Sequence, residues 1–419
     1  MMLTKAPKGT KDITIDESYK WHHIEKTIRE TIARYGHREV RTPVFEHTDL
    51  FLRGVGDTTD IVQREMYTFL DKGGRSITLK PEGTAGVARS FVEHNEYANA
   101  QPTKMYYLTC PVFRYERPQA GRLRQHHQFG IEVFGAQQPS VDAEVMLVAK
   151  SIFDNLGIKD IELNINSIGC PKCRPVYDEK LREYLKNNLD GLCKTCNDRY
   201  ETNPLRILDC KVEECQVIVK DAPKIIDYLC DECEDHFSGL KELLDSLKLN
   251  YKINPQIVRG LDYYTKTVFE FIATGIGAQG TVCGGGRYDG LVEQIGGPSI
   301  AGMGFGMGME RLLMVMGSQG IKIEKPILYD IYICTVGEKA RIKAFSILAD
   351  LRKIGIKADL DHMGKSLKAQ LKYADKVGAS KVIVIGEEEL KSGVIKLRSM
   401  SNSQEVQITI EELMGFVAK

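Results

Sequence analysis

The sequence predicts an α+β protein of two domains, with a small cysteine-rich insertion in the first and an α/β second. Three observations predict this. Residues 105–135 read strand, polar loop, strand, and a glycine-studded strand follows at 300–307. Eight of the eleven Cys fall between residues 170 and 233. Beyond Lys325-Pro326, short strands alternate with helices, the pattern of an α/β unit of its own.

In chain order, Trp21, Ile24, Ile28, Ile32 and Tyr35 recur at helical spacing, so residues 17–35 are expected to be a helix that Gly36 ends. Arg41-Thr42-Pro43-Val44-Phe45-Glu46 is an extended run. Its Pro cannot donate to a ladder, which makes it an edge strand or an interface segment. Met105 to Tyr115 and Phe129 to Phe134 are strands around a loop at Pro118 to Gln125, and residues 140–156 form an amphipathic helix. Strands are expected again at 257–285 and 300–307, with a helix from about Met309. The tail reads strand Tyr329–Cys334, helix Lys339–Ile354, strand Lys357–Leu360 and helix Leu367–Val377. Strands Lys381–Gly386 and Val394–Arg398 and a helix Ile410–Val417 complete it. The expected domains are 1–325, with the insertion at 170–238, and 326–419.

The chain has 419 residues, 42% of them hydrophobic, enough for a sizeable core. It carries 57 Lys and Arg against 57 Asp and Glu, so its overall charge advertises no nucleic acid. Residues 339–381 are different, with 11 Lys and Arg against 4 Asp and Glu, a basic patch suited to an RNA partner. Met1 to Asp12 lacks the apolar core of a signal peptide, and no stretch has the length of a membrane span. The expectation is a soluble cytoplasmic protein whose Cys are thiols or metal ligands rather than disulfides.

Several motifs suggest chemistry. Arg259-Gly260-Leu261-Asp262-Tyr263-Tyr264 groups a cation, a carboxylate and two phenols, where a packing strand edge would use Val and Ile. A solvated turn is the plain alternative. In Gly302-Met303-Gly304-Phe305-Gly306-Met307-Gly308, alternate residues share a face. The Met and Phe face can enter a core, and the bare face lets a flat ligand lie on the sheet. Close helix packing is the alternative. Arg311, just beyond, could stack on a purine or meet a phosphate. No G-x-G-x-x-G is completed, and Gly364-Lys365-Ser366 is not a P-loop because Asp359 holds the required upstream glycine position.

Between the hairpin strands lie Arg114, Arg117, Arg122 and Arg124, a basic loop suited to a polyphosphate or a nucleic-acid end. On the second strand Gln128, Gly130 and Glu132 share one face, a floor able to read a polar side chain, and Phe129, Ile131 and Val133 take the other. His126 and His127 lack a third metal ligand, so a loop role is expected for both. Glu82 in Pro81-Glu82-Gly83-Thr84 could receive an ammonium group, and helix capping around Thr84 is the alternative.

In order, the Pro43 segment, the Arg114-x-Glu116 hairpin and the Gly302 to Arg311 strand resemble the three motifs of class II aminoacyl-tRNA synthetases. Arg259 to Tyr264, with Gly284-Gly285-Gly286-Arg287-Tyr288-Asp289, resembles the signature of the histidyl-tRNA synthetase family, bacterial type. The resemblance covers nearly the whole chain. It implies an antiparallel catalytic sheet, a C-terminal anticodon-binding domain, a homodimer through the Pro43 segment, and the substrates L-histidine, ATP with Mg2+, and tRNA(His).

It also implies roles. Arg114 would meet the α-phosphate and the histidine carboxylate, and Arg259 would offset charge at the α-phosphate. Glu116 and Arg122 would contact the adenine region and distal phosphates, and Arg311 the adenine or γ-phosphate. Glu82, Gly83, Thr84 and Gln128 would surround the α-amino group. Glu132 and Tyr264 would bind the imidazole nitrogens, with Tyr263 beside them. His126 departs from the family, which often has Phe there; a nucleobase can stack on either. A competing reading is the non-catalytic, histidine-sensing regulatory subunit of ATP phosphoribosyltransferase. Such paralogues lack the C-terminal domain and degrade the Arg259 signature, and both are intact here.

The Cys-rich insertion is not a general feature of that family. Cys170-x-x-Cys173, Cys193-x-x-Cys196 and Cys230-x-x-Cys233 have the spacing of zinc knuckles. Arg174 to Leu189 reads as a helix, and about fourteen helical residues span roughly 21 Å, which keeps the first two knuckles apart. The expected groups are Cys193, Cys196, Cys210 and Cys215 around one Zn2+ and Cys170, Cys173, Cys230 and Cys233 around another, in a module that grips the acceptor end of tRNA. Vestigial thiols are the alternative.

Overall fold

Alternation along the strands decides which side of the main sheet is core. In the computed structural model, which describes residues 4–56, 59–275 and 280–417, the first unit spans Met1–Ile323. Its strands are β1 Arg38–Glu39, β2 Phe45–His47, β3 Tyr67–Leu70, β4 Ser76–Leu79, β5 Thr103–Phe113, β6 Gln125–Phe134, β7 Ile161–Ser167, β8 Tyr251–Ile253, β9 Thr265–Ala273, β10 Thr281–Arg287 and β11 Gly302–Gly308. Among the described residues they make an eight-stranded sheet, β1-β5-β6-β11-β10-β9-β7-β8, and a three-stranded one, β2-β4-β3. The central ladders are antiparallel, and only the outer β1–β5 and β7–β8 pairs run parallel.

Phe129, Ile131, Val133, Met303, Phe305 and Met307 all point into one core against the helices Ser18–Ala33, Pro139–Asn155 and Met309–Ser318. Each large apolar side chain buried this way contributes about 1.5–3 kcal/mol. The opposite face is left for polar groups. The helix Ser18–Ala33 follows the expected periodicity, burying Trp21, Ile24, Ile28 and Ile32. Gly36, at φ +73°, adopts a left-handed conformation that other residues take at a cost.

The structure differs from the sequence reading at several places. Residues 257–264 are irregular, so the strands expected over 257–285 begin only at Thr265, as the pair β9 and β10. Strand β6 begins at Gln125, so His126 and His127 are strand residues facing Val112 and Pro111, not loop residues. The Pro43 segment is strand only at Phe45–His47, on the edge of the small sheet, where Val44 accepts from the Lys80 N–H at 3.0 Å. The first insertion helix is Cys173–Lys186, with a 3-10 turn at Leu189–Gly191. The last insertion helix, Asp231–Ser246, runs past residue 238 and buries Phe237, Leu240 and Leu244 in the main core.

The second unit, Glu324–Lys419, has strands β12 Ile331–Thr335, β13 Ala358–Leu360, β14 Lys381–Ile385, β15 Val394–Ser399 and β16 Glu405–Thr409 in the order β13-β12-β14-β15-β16. β12 pairs parallel with β13 and β14, and β15 and β16 add an antiparallel edge. β16 and the short helix Glu387–Ser392 were not anticipated, and the final helix is Leu413–Val417. No helix among the described residues is long and apolar enough to cross a membrane.

Candidate functional site

The polar face of β6 carries a buried well. Glu132 is fully buried; its Oε1 accepts from Thr84 Oγ1 at 2.8 Å, and its Oε2 accepts from the Tyr288 hydroxyl. Burial pushes the Glu132 carboxyl up to about 8, against the pull of the Tyr288 and Thr84 hydrogen bonds. Opposite Glu132 on β11 stands Gly304, where a Cβ would fall 2.2 Å from Glu132 Oε2. Beside it, a Cβ on Gly302 would fall 2.3 Å from the Tyr288 ring. The glycine face of β11 is thus not uniformly bare: Glu132 and Tyr288 fill its first half. A Cβ on Gly306 would meet nothing nearer than the Gln128 amide at 3.7 Å, so the open floor is the Gly306 end.

Glu82 closes one side of the well. Its carboxylate accepts the N–H groups of Thr84 at 2.7 Å and Ala85 at 2.8 Å, at the N-terminus of the helix Thr84–Glu93. The capping group is therefore Glu82, and the Thr84 hydroxyl is left for Glu132. Burial raises the Glu82 carboxyl, and these N–H bonds act in the opposite direction. The Tyr107 ring fills the space between Gly83 and Gly130, where Cβ atoms would fall 2.5 and 2.3 Å from it. Tyr263 and Tyr264 are buried with ring centroids 4.7 Å apart, and the Tyr263 hydroxyl reaches Glu82 Oε2 at 3.5 Å. Tyr107 escaped the sequence reading, and Tyr288, named there only within the glycine-rich signature, was given no role, because a Tyr within or beside a strand reads as core.

Three guanidiniums converge beside this well. Arg114 donates through Nε to the Pro81 carbonyl at 2.9 Å. Arg311 donates through Nε to the Gly121 carbonyl at 2.9 Å and through Nη1 to the Thr281 carbonyl. Arg259 pairs with Glu270, which also accepts from Thr281 Oγ1 at 2.9 Å. Burial lowers both Arg114 and Arg311; repulsion from Arg259 adds to it at Arg114, and repulsion from Arg114, Arg122 and Arg259 adds to it at Arg311. Arg259 is raised: burial opposes its charge, but Glu270 together with Tyr264 and Tyr263 outweighs it. Its Nε is buried with no hydrogen-bond partner, a donor that a ligand oxygen would satisfy. Like charges held together this way are suited to a polyanion.

Glu116 pairs with Arg122, and Arg122 also lies 3.6 Å from Glu65. His126 is held neutral, its pKa lowered to about 4 by burial and then by Arg114. His127 is tied to Glu310 through Nδ1 at 2.9 Å and packs edge-on against Trp21, a structural position. Arg287 of the glycine-rich signature is also structural. It is fully buried, with Nε 2.7 Å from Asp142, which His236 holds at 2.7 Å.

The cysteines fall into two sets. The sulfurs of Cys170, Cys173, Cys230 and Cys233 lie within 4.8 Å of one another, and so do those of Cys193, Cys196, Cys210 and Cys215. This is the grouping that the helix length implied.

Family comparisons agree with this architecture. The family described as histidyl-tRNA synthetase matches residues 9–312, and that described as anticodon binding domain matches residues 330–419. A histidine–tRNA ligase of Thermoanaerobacter pseudethanolicus is 61% identical, with 98% of each chain covered. One of Caldanaerobacter subterraneus is 57% identical over 98% of this chain and 99% of that relative. The solved apo structure of the Staphylococcus aureus histidyl-tRNA synthetase, 40% identical, superposes with a TM-score of 0.85 over all of both chains. The chain belongs to the histidyl-tRNA synthetase family, with its class II catalytic fold and its C-terminal anticodon-binding domain.

Proposed function

We propose that this protein is a histidine–tRNA ligase, and that the well and the three guanidiniums are its activation site. The histidine carboxylate oxygen attacks the α-phosphorus of ATP, and pyrophosphate leaves. The terminal ribose hydroxyl of tRNA(His) then attacks the carbonyl of the histidyl adenylate, and AMP leaves. The observation that carries this reading is the juxtaposition of a buried polar well with Arg114, Arg259 and Arg311.

Glu132, held by Thr84 and Tyr288, faces one imidazole nitrogen, and Tyr264 with Tyr263 faces the other side. An apolar isostere would leave these buried groups unpaired, which is costly. Glu82, Thr84 and Gln128 receive the α-ammonium, with Gly83 leaving the approach open. Arg114 and Arg259 meet the carboxylate and the α-phosphate, where negative charge builds as the bond forms. The work is positioning and electrostatic stabilisation, and no side-chain nucleophile is needed. Glu116 and Arg122 serve the adenine region and distal phosphates, Arg311 the adenine or γ-phosphate, and neutral His126 offers a ring for stacking. Glu116 and Glu270 supply oxygen donors of the kind Mg2+ takes, and Mg2+ arriving with ATP would offset further phosphate charge.

The expected domains follow the same reading: residues 1–325 activate histidine, and 326–419, with the basic patch at 339–381, bind the anticodon arm. A second copy of the chain would cover the small sheet, where Phe45, Phe69 and Leu70 are 52%, 48% and 70% exposed. The eleven free Cys accord with a cytoplasmic setting. The regulatory-subunit reading has less support, since the anticodon-domain match runs through the C-terminal unit and the Arg259 cluster is complete. The test is charging: labelled histidine should become acid-precipitable on tRNA(His) in the presence of ATP, and on no other tRNA. No transfer under any condition would reject the proposal.

A further inference from the structure

Residues 257–264 have no regular secondary structure, yet they carry Arg259 and both tyrosines. A run of this kind has no ladder to fix it, so its backbone must be held from outside. Asn166 Nδ2 donates to the Ile257 carbonyl at 3.1 Å, and beyond it the stretch from Arg259 to Tyr264 is held at both ends by arginines from the cysteine-rich module. Arg206 Nη1 donates to the Arg259 carbonyl at 3.0 Å, and Arg174 donates to the Tyr264 carbonyl. Between them, Asn203 Nδ2 donates to Asp262 Oδ1 at 3.0 Å.

Each arginine is placed by one of the cysteine groups. Arg174 directly follows Cys173. On the other side of Cys170, Gly169 accepts from the Lys266 N–H at 2.8 Å. Arg206 lies between Cys196 and Cys210, on a short 3-10 turn packed against the helix Lys194–Thr202. Arg199 of that helix and Arg206 also converge on Asp60, at 2.5 and 3.6 Å.

The sulfur geometry fits one tetrahedral ion in each group. The Sγ separations are 3.7 Å for Cys170–Cys173, 3.8 Å for Cys170–Cys230 and 3.9 Å for Cys193–Cys210. A disulfide would bring two sulfurs to about 2.05 Å. Four thiolates at about 2.3 Å from one ion stand about 3.8 Å apart along the edges of a tetrahedron. An iron–sulfur cube would spread the four sulfurs much further. Backbone N–H groups also point at the sulfurs, as in the outer shell of thiolate metal sites: Lys172 to Cys170 at 3.4 Å, Cys230 to Cys173 at 3.1 Å and Cys193 to Cys215 at 3.2 Å.

We propose that the two four-cysteine groups are structural zinc sites, and that they hold the Arg259–Tyr264 run in place from its two ends through Arg206 and Arg174. Zinc occupancy then governs histidine activation with no zinc at the reacting atoms. The positioning half rests on the proposed role of Arg259; the metal half does not.

Metal analysis of the full chain, purified without chelator, should give two equivalents of zinc. Cobalt substitution should give the visible bands and thiolate charge-transfer absorption of tetrahedral tetrathiolate sites. Less than half an equivalent of zinc, or iron in its place, overturns the sites. Cys196→Ser should keep one equivalent and lose at least about tenfold in kcat for histidine-dependent pyrophosphate exchange. Cys196→His, which can still ligate zinc, should recover both. Should Cys196→Ser not fold, Arg206→Gln decides the positioning role: it should keep two equivalents and its melting temperature while kcat falls. Unchanged kcat in Arg206→Gln overturns that role. Two equivalents of zinc with no exchange by the unaltered chain overturns the ligase reading, and the positioning role with it, while upholding the metal sites.

Discussion

The guanidinium of Arg259 pairs with the carboxylate of Glu270 across a glycine. Glu270 on β9 lies directly opposite Gly284 on β10, and Arg259 rests over that glycine. An arginine from an irregular run is thereby fixed against a regular sheet. A Cβ at residue 284 would fall 2.5 Å from Arg259 Nη2. Gly284→Ala should therefore push the guanidinium aside, because the far end of a side chain yields before backbone does. The expected result is a folded enzyme with kcat for adenylation lowered tenfold or more and a melting temperature within a few degrees of the parent. Unchanged kcat would show that the arginine need not sit there.

Gly306→Ala is the contrasting case. Its new methyl would meet only the Gln128 amide at 3.7 Å, so the protein itself has room. Replacing a strand glycine should leave stability unchanged or raise it by about 0.5–1 kcal/mol. If the Gly306 end is the floor for a substrate, KM for ATP or histidine should rise severalfold. Both KM values unchanged would mean that nothing lies against that glycine.

The Glu132 well makes a pH prediction. Its folded pKa, about 8, lies above that of an unfolded glutamate, so the folded state holds the extra proton between the two values. Stability then falls as pH rises through that window, by up to about 1.4 kcal/mol per pH unit from one group. Glu82 is shifted in the same direction. His37 and His126, both lowered to about 4 by burial, act in the opposite sense, but only below the ordinary histidine range. The interval in which neither histidine titrates is from about pH 6.5 to 8, and the Glu132→Gln comparison isolates the Glu132 contribution within it. Melting temperature should fall across it in the unaltered chain and fall less in Glu132→Gln. Parallel slopes would contradict the raised pKa.

His126→Phe tests whether the ring at residue 126 serves the nucleotide by stacking alone. The ring is neutral above about pH 4, so its replacement removes no charge at neutral pH. KM for ATP should stay within about threefold. A larger increase would give His126 a polar role beyond stacking.

Cutting after Lys325 should separate the two activities. The first unit contains all the proposed activation residues, and the basic run at 339–381 is removed. Histidyl-adenylate formation should persist, while the apparent affinity for tRNA(His) drops by at least tenfold. Equal charging by the shortened chain would remove the anticodon-binding role from the second unit.

Much of the fold was legible in the sequence because local alternation recorded it. Phe129, Ile131 and Val133, and Met303, Phe305 and Met307, announce a core side and a free side without reference to any neighbour. Beyond the edge strand at Pro43 the small sheet was missed, because β3 and β4 are only four residues long and β3 leaves Phe69 and Leu70 exposed. In the site, Arg114, Glu82, Thr84, Glu132 and Arg259 stood out as polar residues in unlikely settings. Glu270, Tyr107 and Tyr288 did not. What brings Glu270 to Arg259 is the β9–β10 register, and Tyr288 meets Glu132 across a chain separation of 156 residues. Neither relation is written in local spacing. The cysteine grouping was legible because a helix is a rod of known length, which keeps its two ends from sharing an ion.

The most direct test of the account is exchange of labelled pyrophosphate into ATP, measured with and without histidine, for the unaltered chain and for Arg259→His. The account predicts exchange that depends on histidine and on no other amino acid. It predicts a loss of about 10²–10³ in Arg259→His with the fold intact, as for removal of one preorganised transition-state donor. Exchange without histidine, or near-normal exchange in Arg259→His, would contradict it.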